Sequence, residues 1–365
     1  MLKKVAVLGG GNGSHTMAAD LALKGLEVNI CEAPEFKDAF AATLERQAVE
    51  LVDAEGVEKT VKIALATTDF EKALKGADYI MMPIPATGHE RFLKAIMPHL
   101  EDGQTIVSWP GNYASLYFAR MLKEEGIKKN VTLAEAHTLP WGCRLEAAGR
   151  VRIFVDAWKL LLAALPAKET ARIVKELKDY YPVEAGASVL ATSLNNLNPI
   201  VHPVGTILNA GAIDNKGEGF HLYRDGTTKS IANAIKAVFE EVSRVGEAVG
   251  VKMLKYPEET FYLKSTIMSY YFKTPFDMES TVAHISGPSA MTGRYITEDI
   301  PYGLVPVAGL AYSYGVDIPV IDATIWLASA INETDYYGEG RSLGELGITG
   351  LKREELDRIL KEGFL

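Results

Sequence analysis

Gly9-Gly10-Gly11-Asn12-Gly13-Ser14 stands between a short apolar run, Val5-Ala6-Val7-Leu8, and the helically spaced Ala18, Leu21 and Ala22. No other stretch constrains the chain as much. A wholly apolar run of this length suits a parallel strand buried on both faces. Gly9 permits a tight turn out of that strand, and Gly11 lets the backbone come close to a pyrophosphate. A helix starting there offers free N–H groups and a partial positive charge to the phosphates. Asn12 and Gly13 open that helix, and Ser14 takes the place of the third glycine, small enough for close helix–strand packing. Glu32 closes the next apolar strand, around Val28 and Ile30. It follows the glycines by roughly 20 residues, where a carboxylate bonds the adenine ribose hydroxyls. Such a carboxylate repels a 2′-phosphate, and no Arg follows within three residues, so the pattern favours NAD over NADP. A glycine turn without a ligand, and a merely solvated Glu32, are the plain alternatives.

The alternation continues downstream. Ala77 to Ile84, Thr105 to Ser108 and Val131 to Ala134 read as strands, while Glu90 to Leu100 and Tyr113 to Glu125 carry helical spacing. This argues for a parallel, doubly wound sheet. Val151 to Val155 is expected to add a strand, and Ala167 to Tyr180 a helix. Pro83-Ile84-Pro85-Ala86 and Pro110-Gly111-Asn112 follow strands and would face the cofactor crevice, Pro85 in particular. Each also reads as a rigid turn. After Ala187 helical patterns dominate, most clearly from Thr228 to Val249, with Ile231, Ile235, Val238, Val242 and Val245 on one stripe. The fold class predicted is an α/β Rossmann-type doubly wound domain over residues 1–186. A mostly α-helical domain over residues 187–365 would follow it and carry the substrate.

A chain of 365 residues exceeds what one core usually holds, which suits two domains. The net charge of −9 disfavours broad binding to nucleic acid or anionic membranes. Two cysteines, Cys31 and Cys143, make no disulfide framework and fit a reducing cytoplasm. The apolar start ends at Leu8, too short for a secretory signal, and the apolar run at Leu160 to Leu165 stops at Pro166. A cytoplasmic protein with small-molecule partners is expected; a homo-oligomer is left open.

A nicotinamide enzyme also needs a group that handles a proton, and histidine titrates near neutrality. His15, His89, His99, His137, His202, His221 and His284 are available, and spacing alone privileges none. His202 stands in a polar cluster, Asn195-Asn196-Leu197-Asn198-Pro199-Ile200-Val201-His202-Pro203, with Thr206 and Asn209 beyond. A helix from about Pro199 would bring Asn198, His202, Thr206 and Asn209 to one face. Buried without partners, that face would cost folding energy. The alternative is a capped helix start.

At these residues the chain resembles the opine dehydrogenase family, which includes octopine and nopaline dehydrogenases and N-(1-carboxyethyl)-norvaline dehydrogenase. The resemblance covers essentially the whole chain. It rests on the early glycine loop, Pro85-Ala86, the Asn-x-Asn-x-x-x-His-Pro stretch at 196 to 203, and Leu208-Asn209-Ala210. Arg294-Tyr295, Glu298-Asp299, Gly303-Leu304-Val305-Pro306 and the tail Gly340-Arg341-Ser342-Leu343 complete it. It implies reductive joining of an α-keto acid, often pyruvate, to an amino acid's amino group, with a nicotinamide cofactor. By motif it implies that His202 is the general acid/base and that Asp299 orients its imidazole. Arg294 would clamp the keto-acid carboxylate, and Asn198 and Cys143 would lie near substrate. Trp109 departs from the family before Pro110, and Trp141 neighbours Cys143. Both put the amino acid in doubt, not the reaction.

Two other readings compete. A 2-hydroxy or β-hydroxy acid dehydrogenase would commonly use a lysine near an Asn, and residues 195–209 contain none. A non-catalytic NAD-binding redox sensor would have no need of His202, Arg294 and Asp299 together. No metal-site spacing is present, so no metal ligands are expected.

Overall fold

The computed structural model describes residues 2–272 and 285–364. The chain forms two compact units, Met1–Thr192 together with Ile359–Leu365, and Ser193–Arg358.

In the first unit, β1 (Lys4–Leu8) leads into α1 (Asn12–Leu23), β2 (Glu27–Cys31) and α2 (Lys37–Arg46). A hairpin of β3 (Ala48–Val52) and β4 (Glu58–Lys62) follows, then β5 (Leu65–Thr67), α3 (Phe70–Leu74) and β6 (Tyr79–Met82). Next come α4 (His89–Ile96), β7 (Thr105–Ser108), α5 (Ala114–Glu124) and β8 (Thr132–Ala136). β9 (Trp141–Ala147), β10 (Arg150–Asp156), β11 (Leu160–Leu165), α6 (Thr170–Leu177) and β12 (Val183–Ala185) complete the unit. The main sheet runs β12-β11-β8-β7-β6-β1-β2-β5. Its strands from β8 to β5 are parallel, while β11 pairs antiparallel to β8. Those central strands are the short apolar runs of the sequence, and Val5, Ala6, Val7 and Leu8 are fully buried. β1 lies between β2 and β6. The chain therefore winds away from β1 in both directions and leaves a crevice at its carboxyl end, where ligands bind in such sheets. This is the doubly wound α/β domain that the sequence predicts.

One strand goes elsewhere. Val151 to Val155 does form a strand, but within a second sheet ordered β4-β3-β10-β9. The reason is its alternation: Val151, Ile153 and Val155 are buried, and the residues between them are not. A strand with one wet face cannot sit inside a sheet covered on both sides. The second sheet packs on α1 through β3, β9 and β10. It thereby covers the helix that begins at the glycine loop.

Helix α7 (Val189–Leu194) leads to the second unit, which opens with α8 (Asn198–Ile207), α9 (Ala210–Lys216) and a π-helical turn at Leu222–Gly226. The long α10 (Lys229–Ala248) buries the predicted stripe, and the Thr228 hydroxyl accepts the Ile231 N–H at its start. Then come α11 (Arg294–Thr297), a second π-helical turn at Ile300–Leu304, α12 (Val305–Tyr314), α13 (Pro319–Asn332), α14 (Tyr336–Glu339) and α15 (Arg353–Glu362). α10 packs on α8, α12 and α13. The buried Glu241 carboxylate accepts the N–H groups of Val320 and Ile321 at 3.0 and 2.8 Å. It satisfies the open first turn of α13, as a capping acid does. Among the described residues no helix is long and apolar enough to cross a membrane.

Candidate active site

The glycine loop is built to present backbone. Gly9 has φ +95°, and a Cβ there would lie 2.7 Å from Ile84 Cγ2. A Cβ on Gly13 would lie 3.0 Å from the Pro83 carbonyl oxygen. The Pro83-Ile84 segment after β6 therefore packs against the loop, and Pro85 stands exposed beside it. Gly11 differs, because a Cβ there meets nothing within 4 Å. Helix α1 starts just after it with no side-chain cap and no acid in its first turn. An open glycine before uncapped helical N–H groups fits a dinucleotide pyrophosphate.

The polar side chains of the loop serve its shape. Ser14 Oγ donates to the Leu8 carbonyl at 2.8 Å, so the serine in the third glycine position fastens α1 to β1. Asn12 Oδ1 accepts the Leu145 N–H at 2.9 Å and ties α1 to β9. Glu32 accepts the Gly10 and Ala33 N–H groups, each at 2.6 Å. Burial raises its pKa, and those two hydrogen bonds oppose the rise. The carboxylate thus stands at the edge of the loop, at the end of β2.

In the second unit, His202 Nδ1 lies 2.7 Å from Asp299 Oδ2, and both residues are 2% exposed. The ring stacks on Tyr295 with centroids 3.8 Å apart and planes 9° from parallel. Nε2 lies 2.8 Å from the Tyr223 hydroxyl, which also faces Met268 Sδ at 3.1 Å. With Asp299 ionised, Nδ1 donates to it and Nε2 is left to exchange a proton, with Tyr223 as its partner. Burial raises the Asp299 pKa, and Arg294 pulls it back.

The sequence assembles this group through close approaches. A Cβ on Gly303 would run into the Pro199 ring, so the glycine lets the Ile300–Leu304 turn seat against the start of α8. That contact brings Asp299 to His202. The turn is braced by the tail motif. Arg341 N–H donates to the Pro301 carbonyl at 2.8 Å, and its guanidinium lies 4.8 Å from the Tyr302 ring centroid. On the other side, Asn209 Nδ2 donates to the Gly205 and Gly226 carbonyls at 2.8 and 3.1 Å, which holds the turn carrying Tyr223. Arg294 opens α11 with its side chain about half exposed, 3.4 Å from Glu298.

Each unit matches a known family. Residues 185–332 match the family of the NAD/NADP octopine/nopaline dehydrogenase alpha-helical domain. Residues 4–111 match that of the NAD-dependent glycerol-3-phosphate dehydrogenase N-terminus. An opine dehydrogenase from Arthrobacter sp. (strain 1C) is 32% identical over 359 residues, covering 96% of each chain. The chain belongs to the opine dehydrogenase family. It is an NAD-dependent oxidoreductase acting on CH–NH groups. Octopine dehydrogenase from Pecten maximus is 27% identical over 94% of each chain. Among solved structures, octopine dehydrogenase in complex with NADH and agmatine aligns at TM-score 0.74 and 21% identity, covering 98% of each chain, which shows a shared fold. Related structures hold NADH with L-arginine or with pyruvate.

The expected site residues therefore fall in two groups. Gly9, Gly11, Asn12, Gly13, Ser14, Glu32 and Pro85 gather in the first unit, with Cys143 buried on β9. His202, Asp299, Arg294 and Asn198 belong to the second, Asn198 as the half-buried first residue of α8. Neither Cys31 nor Cys143 is in a disulfide. Trp109 and Trp141 both pack edge-on against Tyr181, at centroid distances of 5.5 Å, and are buried. Among the other histidines, His15 is held by Thr43 and Gly11, and His284 lies outside the described residues. Tyr223 and Met268 are the neighbours of His202 that sequence reasoning missed. Nothing in their local pattern marks them.

Proposed function

We propose that His202 is the general acid/base of a condensation between a small α-keto acid and the amino group of an amino acid. The observation that carries this reading is the buried His202–Asp299 pair at 2.7 Å. Asp299 orients the imidazole and stabilises its protonated form. Nε2 gives a proton to the carbonyl oxygen as it leaves as water, and takes one from the amine nitrogen as the imine forms. The bound nicotinamide supplies the hydride that reduces the imine carbon, and the reverse reaction oxidises the product. Tyr223 keeps a hydroxyl at Nε2 and so offers a partner to either protonation state of the ring. Arg294, half exposed, is the clamp for the keto-acid carboxylate, which a planar guanidinium grips with two parallel hydrogen bonds. Asn198 and Cys143 are assigned to the substrate side. Residues 1–186, apart from Cys143, serve the cofactor and residues 187–365 the substrates.

The cofactor of choice is NAD, because Glu32 places a carboxylate where a 2′-phosphate would have to sit. The keto acid is assigned as pyruvate-like, since octopine dehydrogenase, which shares the fold, was solved with NADH and pyruvate. Two cysteines outside any disulfide suit a reducing cytoplasm. The test is a screen of NADH oxidation, with pyruvate, 2-oxoglutarate, oxaloacetate and glyoxylate crossed against a panel of amino acids. Turnover is expected only where both substrates are present. Turnover with a keto acid alone would make this a 2-hydroxy acid dehydrogenase, and NADH binding without turnover would make it a sensor.

A further inference from the structure

No arginine stands within three residues of Glu32 in the sequence, yet the fold brings one beside it. Arg91 lies on the first turn of α4, which follows β6 on one side of β1. Glu32, Glu35 and Phe36 follow β2 on the other side. The Arg91 guanidinium nonetheless lies over the Phe36 ring, 4.7 Å from its centroid, and 3.6 Å from Glu35 Oε1. It therefore spans the carboxyl edge of the sheet from the β6 side to the β2 side. The aromatic face under it fixes where the cation stands.

The three charged groups sense one another. Burial raises the Glu32 pKa, the Ala33 and Gly10 N–H groups and the Arg91 charge oppose the rise, and Glu35 adds to it. Two carboxylates thus share one guanidinium, and the group keeps a net negative charge. In sheets of this kind the acid after the second strand meets the ribose 2′-hydroxyl, whereas an arginine nearby accommodates a 2′-phosphate. A guanidinium grips a phosphate with two parallel hydrogen bonds. The side chains of Arg91 and Glu35 are 47% and 49% exposed. An ion pair that open to water holds loosely, so the cation can change partners without rebuilding the fold.

We propose that Arg91 is a second determinant of cofactor choice, a phosphate-binding cation that Glu32 and Glu35 keep neutralised. This rests on the reading of Glu32 as the acid at the adenine ribose. NAD is preferred because the carboxylates outnumber the cation, and not because a cation is missing. Removing the acids hands the guanidinium to a 2′-phosphate.

Dissociation constants of NADPH and NADH for variants of the full chain, followed by nicotinamide fluorescence, test this. Glu35→Gln alone should shrink the NADPH-to-NADH ratio about threefold, through the charge it removes beside Arg91. Glu32→Gln combined with Glu35→Gln should shrink it by about 100-fold, as a charge-assisted grip on phosphate forms. Adding Arg91→Ala to that pair should reverse most of the change. Arg91→Ala by itself should widen the native ratio and leave the NADH constant nearly unaltered. Adenosine 2′,5′-bisphosphate and AMP, used as competitors, should follow the same order, because the adenosine half alone carries the phosphate. Melting of Glu35→Gln and Arg91→Ala should stay native, since both side chains are half exposed. A change in ratio from Glu32→Gln that is as large without Arg91 as with it overturns the proposal and leaves the reading of Glu32 standing. So does a Glu35→Gln ratio equal to the native one. A ratio that Glu32→Gln leaves unmoved takes down the reading of Glu32 and this proposal with it.

Discussion

The glycine loop and the His202 group are the two candidate sites, and they are made in opposite ways. Gly9 to Ser14 is contiguous and works through main chain; its side chains face inward and fasten it to β1 and β9. The His202 group joins residues 97 positions apart and works through side chains on α8, the Leu222–Gly226 turn, α11 and Asp299 just before the Ile300–Leu304 turn. A contiguous backbone site tolerates substitution wherever shape is kept, as Ser14 illustrates. A side-chain site gathered from distant segments depends on each contact that seats those segments. The two differ in how they fail, and that difference is testable.

The largest effect is expected at His202. His202→Ala should lower kcat by about 10³-fold or more, within the range that loss of a positioned acid/base usually produces. NADH binding, followed by its fluorescence, should change less than about twofold. Asp299→Asn should fall between, because the imidazole keeps a neighbour but loses the carboxylate that fixes its tautomer. Equal loss of binding and turnover in His202→Ala would erase the distinction between the two sites.

That distinction also explains what could be read without coordinates. The doubly wound domain was legible because its central strands are continuous apolar runs and its loop is local. Val151 to Val155 is legible as a strand, and its alternation sets it apart from the doubly covered sheet, but its partners β3 and β9 are not written in its own residues. His202 stands out by its polar cluster, but its role and its pairing with Asp299 are reached only through family motifs, because a 2.7 Å contact across 97 residues leaves no periodicity behind. Tyr223 had neither motif nor period. It reaches Nε2 from a five-residue π-helical turn, a conformation that propensity does not foresee. Trp109 and Trp141 stand in the sequence where substrate choice is read. The fold spends both on packing against Tyr181.

Two glycines sharpen the comparison at intermediate size. Gly303→Ala would push the Ile300–Leu304 turn off Pro199 and move Asp299 from His202. Overpacking of this kind costs roughly 1–3 kcal/mol, and kcat should drop about tenfold or more with NADH affinity unchanged. Gly9→Ala should do the reverse. Its φ of +95° and the 2.7 Å approach to Ile84 penalise any Cβ, so the loop must deform and NADH affinity should fall about tenfold. Thermal melting with single-turnover kinetics separates the cases. If Gly303→Ala weakened NADH binding as much as Gly9→Ala does, the two sites would not be independent.

The smallest effect concerns the one side chain in the loop region whose charge matters. Glu32 is expected to disfavour NADPH by repelling its 2′-phosphate, a penalty of about 1–2 kcal/mol at a partly buried position. Glu32→Gln keeps an oxygen for the Gly10 N–H and removes the charge. The ratio of NADPH to NADH dissociation constants should therefore shrink about tenfold. Because burial raises the Glu32 pKa, the native carboxylate loses its charge at a higher pH than a solvated one would. The native preference should then narrow as pH falls toward that raised value. The 2′-phosphate also takes up a proton near pH 6, but it does so in both proteins. The difference between native and Glu32→Gln therefore isolates the carboxylate. A ratio that Glu32→Gln leaves unchanged at neutral pH would mean that Glu32 holds the loop through the Gly10 and Ala33 N–H groups and has no part in choosing the cofactor.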